Sequence, residues 1–139
     1  MAKATYKLPD DFLDSLSRLE SRTDEIIPKV LKAGGEVVLS KVRSNLNSVL
    51  SGKSTGQLER SLGLTPARLD NKGNFNVKIG FGENRSDGKS NAMLANVLEY
   101  GKHNQPPRPF MKPAKSACRA ACIEAMKQKM EDEISRDFD

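Results

Sequence analysis

Few side chains in this chain could do covalent chemistry. The only histidine, His103, lies in a polar stretch between Lys102 and Asn104. A nucleophile–base pair would need a third group to orient that imidazole, and no spacing supplies one. His103 therefore reads as a surface residue. Cys118 and Cys122 stand four apart in one helical pattern, so they share a face. That spacing is poor geometry for a disulfide, and nothing nearby completes a metal site. Both read as small core residues. Asp10-Asp11 and Glu131-Asp132-Glu133 fall in helix-terminal or solvated runs. Glu99, one residue before a helix stop and near Lys102 and Arg108, reads at its simplest as half of a surface salt bridge. Gly52-Lys53-Ser54 resembles the end of a phosphate-binding loop. That motif needs a glycine five positions earlier and a preceding strand, whereas here Asn47 and a helical pattern stand there. No catalytic, metal or cofactor constellation results, and a non-enzyme without cofactors is expected.

The elements that carry these residues centre on Leu94 to Ala114, LANVLEYGKHNQPPRPFMKPA. An apolar helical run from Ala92 stops at Tyr100-Gly101, with Ser90 or Asn91 as cap. The loop that follows holds Pro106, Pro107, Pro109 and Pro113 around one large apolar residue, Phe110. Proline fixes φ and disfavours helix at the residue before it, so the loop is stiff. It reads either as a rigid crossover plugging Phe110 into the core or as a shaped docking element. Lys112 then caps, and Pro113 opens, a final helix with a stripe of Ala114, Ala117, Cys118, Ala121, Ala125, Met126, Met130 and Ile134. The small residues of that stripe predict close packing, plausibly on Gly34-Gly35.

Upstream, Asp10 or Asp11 caps a first helix with Phe12, Leu16 and Leu19 on one face. The apolar phase continues to Leu50, but Pro28 belongs in a first helical turn. A break near Ser21–Thr23, with Asp24 as the new cap, meets that requirement. A short helical turn through Leu58 and Leu62 follows. Residues 62–82 read as a β-hairpin: Pro66 suits an edge, Asp70-Asn71-Lys72-Gly73 is the turn, and Phe75, Val77, Ile79 and Phe81 share a face. Residues 82–91 form a polar loop, expected to be mobile. The expectation is an α+β fold. Long N-terminal helices and a C-terminal helix pack on a small antiparallel sheet, with residues 1–139 as one domain.

With 37% hydrophobic residues, 5% aromatic and no Trp, the core is modest and burial could be completed in an assembly. No run approaches the ~18 apolar residues of a membrane span, and MAKATYKLPDDF lacks the apolar segment of a signal peptide. The expected location is the cytoplasm. Net charge is +5, unevenly placed: +2 over residues 1–67, +7 over 68–129 and −4 over the last ten. A basic middle and an acidic end allow non-specific nucleic-acid contact, or head-to-tail pairing of unlike faces. Interleaved aromatics, a helix-turn-helix and a zinc module are all missing. A small basic nucleic-acid-binding protein is therefore the second reading.

Three segments, in order, carry a family resemblance. Thr55-Gly56-Gln57-Leu58-Glu59-Arg60-Ser61-Leu62 is similar to a T-G-x-L-x-x-S-I/L segment. Leu98-Glu99-Tyr100-Gly101 is similar to V/L-E-F/Y-G, and Pro109-Phe110-Met111-Lys112-Pro113-Ala114 to P-F-L/M-x-P-A. Together, over about residues 25–135, the chain resembles the neck, head–tail joining and tail-completion proteins of tailed phages and prophages. The founding member of that family is gene product ten of a lambdoid coliphage. One departure is Lys102, where the family often has Thr. The resemblance implies a non-enzymatic virion subunit, made in the host cytoplasm and assembled as a ring by self-association. Connector or head-completion proteins and tail-terminator or tail-tube proteins would be its neighbours, and DNA could pass non-specifically through the channel. It also implies structural roles for Thr55, Gly56, Ser61, Glu99, Tyr100, Gly101, Pro109, Phe110 and Pro113. Lys102, His103, Arg108, Arg85 and Lys89 are the candidate partner contacts.

Overall fold

The first two helices are set by the apolar phase and by the joint inside it. A computed structural model describes residues 10–50, 56–82 and 90–138, the Asp137 side chain apart. Helix α1 (Asp10–Ser21) meets α2 (Thr23–Val49) at Arg22, so the expected break is present. Arg22 keeps helical dihedrals and forms no side-chain cap. Its N–H is shared by the Arg18 and Leu19 carbonyls, and its own carbonyl accepts from Glu25 and Ile26. The expected Asp24 cap is absent because the backbone ladder already spans the joint. Pro28 consequently lies inside α2 rather than in its first turn. Only the bond to the Asp24 carbonyl is forfeited, one turn from the helix start.

The β segment folds as the expected hairpin, but in two ladders. Strands β1 (Leu62–Leu64) and β4 (Ile79–Phe81) pair antiparallel, with Leu62 opposite Phe81. Strands β2 (Arg68–Leu69) and β3 (Phe75–Asn76) do the same beyond an interruption. Pro66 has no N–H to offer there, and Thr65 takes over. Its N–H donates to the Lys78 carbonyl and its Oγ1 accepts from the Lys78 N–H, both at 2.8 Å. At the tip the Asp70 carboxylate accepts from the N–H groups of Lys72 and Asn74. Ile79 and Phe81 pack on the core, whereas Leu69 stays exposed.

The core joins Val42 and Leu46 of α2 to Leu58 of α3 (Gln57–Ser61), Leu62, and Ala95 of α4 (Asn91–Tyr100). Phe110, just before α5 (Met111–Ala117), and Ala114 within it complete the core. The final helical run is not continuous. Cys118 leaves helical dihedrals and donates its thiol to the Ala114 carbonyl, dividing α5 from α6 (Arg119–Phe138). A side chain competing for a carbonyl of the preceding turn is a common source of such breaks.

Helix α6 lies along α2, with Met126 and Cys122 over Gly34. A Cβ at Gly34 would stand 2.5 Å from Met126 Cγ, so any larger residue here would have to displace the Met126 side chain. The close approach predicted from the small-residue stripe is therefore present. Cys118 is buried and Cys122 half-buried, and burial pushes the Cys122 thiol up from its ordinary value.

Glu133 corrects the sequence reading. Placed there in a solvated acidic run, it is only 1% exposed. Its carboxylate meets Arg22 at 2.8 Å, with Arg136, Lys129 and Lys29 at 3.5–3.8 Å. Helical phase brings it to the α2 side of α6, and the charge is tolerated because four cations, Arg22 and Lys29 from the start of α2 and Lys129 and Arg136 from α6, surround it.

Candidate functional site

Glu99 organises the loop that sequence singled out. It sits at the penultimate position of α4 and is 8% exposed. One carboxylate oxygen accepts from the backbone N–H of Phe110 at 2.8 Å and of Met111 at 3.0 Å. The other accepts from the N–H of Lys112 at 2.9 Å. These are the donors that the start of α5 would leave without partners, and the next residue, Pro113, has no N–H. A side chain from one helix thus caps another.

The expected Lys112 cap is replaced by Phe110 at the cap position, which offers no side-chain acceptor. Glu99 is likewise not the surface salt bridge of its simplest reading, because its oxygens face amides rather than Lys102 or Arg108. Burial opposes its ionisation, but the three N–H bonds, with Lys112 nearby, outweigh burial and lower its pKa.

Gly101 turns the chain out of α4 with φ +77° while its N–H closes on the Val97 carbonyl. A Cβ here would lie 2.7 Å from the Gln105 carbonyl oxygen and 2.8 Å from the Pro107 nitrogen. Lys102 and Gln105 exchange both backbone hydrogen bonds, making a two-residue tip of His103 and Asn104. The Arg108 N–H returns to the Leu98 carbonyl at 2.6 Å. The Asn45 side-chain amide then donates to the Phe110 carbonyl at 3.1 Å. Phe110 itself is fully buried, edge-on to Phe81 with centroids 6.0 Å apart.

Gly101→Ala should therefore lower stability by about 1–3 kcal/mol, from strained φ plus the backbone clash. Chemical denaturation measures it, and unchanged stability would show that the tip can relax around a Cβ.

The remaining candidate residues are dispersed. Tyr100 is 76% exposed and leaves the core to its neighbours. Pro109, Pro113, Lys102, His103 and Arg108 are exposed, and an Arg108 guanidinium nitrogen lies 3.5 Å from the Val49 carbonyl oxygen. Gly56 is the cap residue of α3, its carbonyl accepting from Arg60. The Ser61 hydroxyl donates to the Leu58 carbonyl, and its own carbonyl accepts from Gly82. Thr55, Arg85, Lys89 and most of the loop 82–91 lie outside the described residues.

Sequence reasoning left Asn45 out, although a polar residue on the core side of α2 signals a partner to be met. No group of three metal-ligating side chains occurs among the described residues. No described helix is long and apolar enough to cross a membrane.

Comparison with known proteins returns one family. No curated relative and no solved structure matches the chain. The family model HK97-gp10_like, whose description reads "Bacteriophage HK97-gp10, putative tail-component", matches residues 10–101. That span takes in both long N-terminal helices, the hairpin and all of α4, and it ends on the glycine that begins the loop. Well over half of the 139 residues are matched, and the chain belongs to the HK97-gp10-like family of phage tail components.

Proposed function

We propose that this tail-component protein acts in head–tail joining or tail completion. In this reading residues 1–139 work as one domain that self-associates into a ring and contacts connector and tail proteins of the virion. The observation that carries it is a tip held rigid from beneath. Residues 102–108 have exposed basic side chains, while Glu99, Gly101 and the Arg108 N–H tie the tip's backbone to α4 and α5. A loop whose shape is fixed before contact loses little entropy on docking. In this reading Glu99, Gly101, Pro109, Phe110 and Pro113 hold the platform, and Lys102, His103 and Arg108 touch a neighbour. Arg85 and Lys89 would add contacts, and the protein would pass from host cytoplasm to virion.

Light scattering over a concentration series, with and without connector and tail proteins of the same virion, tests the reading. Growth of a defined oligomer, or binding to those neighbours, is expected. A protein that stays monomeric, ignores those neighbours and binds duplex DNA tightly, with affinity falling steeply in salt, would overturn it.

A further inference from the structure

Helix α1 faces the wrong way for a monomer. The residue it buries is Ser15, whereas Phe12, Leu13 and Leu16 are each about 40% exposed. Leu13 and Leu16, three apart, form one outward apolar edge. Asp10, Asp14 and Glu20 are also exposed, which makes α1 an acidic helix with one balancing base, Arg18. A helix that buries its serine while Leu13 and Leu16 stay about 40% exposed, with Leu19 half-buried, has an apolar edge that the chain covers only in part.

Elsewhere on the same chain lies a groove of about 930 Å³ between α2, the β1–β4 ladder, α4 and the start of α6. Its apolar lining includes Leu31, Val38, Val77 and Ile79, and Lys112 and Lys115 stand on its wall, both exposed. Glu99 also lines the groove, but its carboxylate is taken up by the three α5 amides, so the exposed charge of that wall is basic, opposite to that of α1. A chain cannot easily serve itself here. Phe12 of α1 is stacked with Phe138 at a centroid distance of 5.6 Å. The groove's α6 residues, Cys122 and Met126, lie about 18–24 Å back along that helix at 1.5 Å per residue.

We propose that the groove receives helix α1 of a second copy of this chain. Leu13 and Leu16 enter the apolar floor, and the α1 carboxylates face Lys112 and Lys115. The two surfaces differ and sit apart, so the contact is head-to-tail. Each copy offers a helix to one neighbour and a groove to the other, which closes into a ring or runs on as a filament. The proposal rests on the self-association reading above and names its contact.

The test uses two surface variants of the full chain. Leu13→Glu with Leu16→Glu disables the helix edge. Ala92→Glu with Asn96→Glu, both exposed on α4 at the groove wall, disables the groove without touching the core. Circular dichroism first establishes that both fold. In sedimentation over a concentration series, wild type should associate, and each variant should associate at least ~100-fold more weakly. A 1:1 mixture of the two variants should form dimers and nothing larger, since one helix edge and one groove remain intact.

If either variant assembles like wild type, or the mixture stays monomeric, the contact is wrong. Self-association itself would then stand, and the groove would belong to another virion protein or to residues 1–9. If wild type stays monomeric throughout, the self-association reading falls and this contact falls with it.

Discussion

Phe110→Ala should destabilise the protein by about 3–5 kcal/mol, the range for truncating a buried phenylalanine. For a chain of this size that corresponds to a Tm drop of roughly 10–17 °C. Phe110 is fully buried, meets Phe81 edge-on, and joins Ala114 to Leu46 and Val42 in one cluster. Truncation removes the ring's apolar area and leaves a cavity that α2 cannot fill, because its own side chains are already fixed against Leu58 and Leu62. The effect should also reach the tip. The Phe110 N–H and carbonyl are held by Glu99 and Asn45, so a loosened side chain weakens both bonds. Chemical denaturation measures the stability, and proteolysis at residues 102–108 reads the loop. Wild-type stability with an unchanged cleavage rate would show that Phe110 does not anchor the loop.

Glu99→Gln should cost about 2–4 kcal/mol at neutral pH, although it changes neither size nor shape. A carboxylate accepts at both oxygens, whereas an amide accepts at one and presents an NH2 group where the Lys112 or the Phe110 and Met111 N–H points. Two donors would then face each other at a buried helix start, and the charge assistance of the remaining bonds is lost.

The same geometry fixes the pH dependence. The folded-state pKa of Glu99 is lowered from the ordinary value of 4.5, so the unfolded chain takes up the proton first as pH falls. The stabilisation is complete above the ordinary carboxylate range and is lost as pH drops through the folded value. The gap in stability between wild type and Glu99→Gln should accordingly be widest at neutral pH and close on acidification. A gap independent of pH would mean that the carboxylate's charge contributes nothing to the cap.

The same three hydrogen bonds explain how an acidic residue can be buried at a helix end with no ion pair against it and only Lys112 nearby. Three amides and the positive start of α5 supply the compensation that a counter-ion would otherwise give. Glu133 solves the same problem differently. Four cations surround it because it lies mid-helix, where every backbone N–H is already used. Two buried carboxylates in one small chain are thus held by two separate means, one by backbone and one by side chains.

Much of the fold was legible because it rests on local rules. Apolar periodicity set the long helices, and the Ser90 cap and Gly101 stop bounded α4. The Asp70–Gly73 turn placed the hairpin, and the glycine pair with the small-residue stripe predicted that α6 lies close on α2. The misses are places where hydrogen-bond partners, which apolar periodicity does not report, decide. The periodicity of α2 could not show that a backbone ladder through Arg22 would make an Asp24 cap unnecessary. Nor could one strand's alternation reveal that Thr65 would bond to Lys78 with both backbone and side chain where Pro66 interrupts the ladder.

Sequence by itself determined the order of helices and hairpin, the stiff proline-bracketed loop, the apolar plug Phe110 and the motifs of a phage tail-component family. Those properties depend on neighbours within a few residues. Only the tertiary structure decided that Glu99 caps a helix eleven residues away, that Glu133 is buried, and that α1 leaves Leu13 and Leu16 partly exposed. Each depends on which face of one helix meets another. That is settled by the packing of the whole core, since a helix's own periodicity specifies a face but not what covers it.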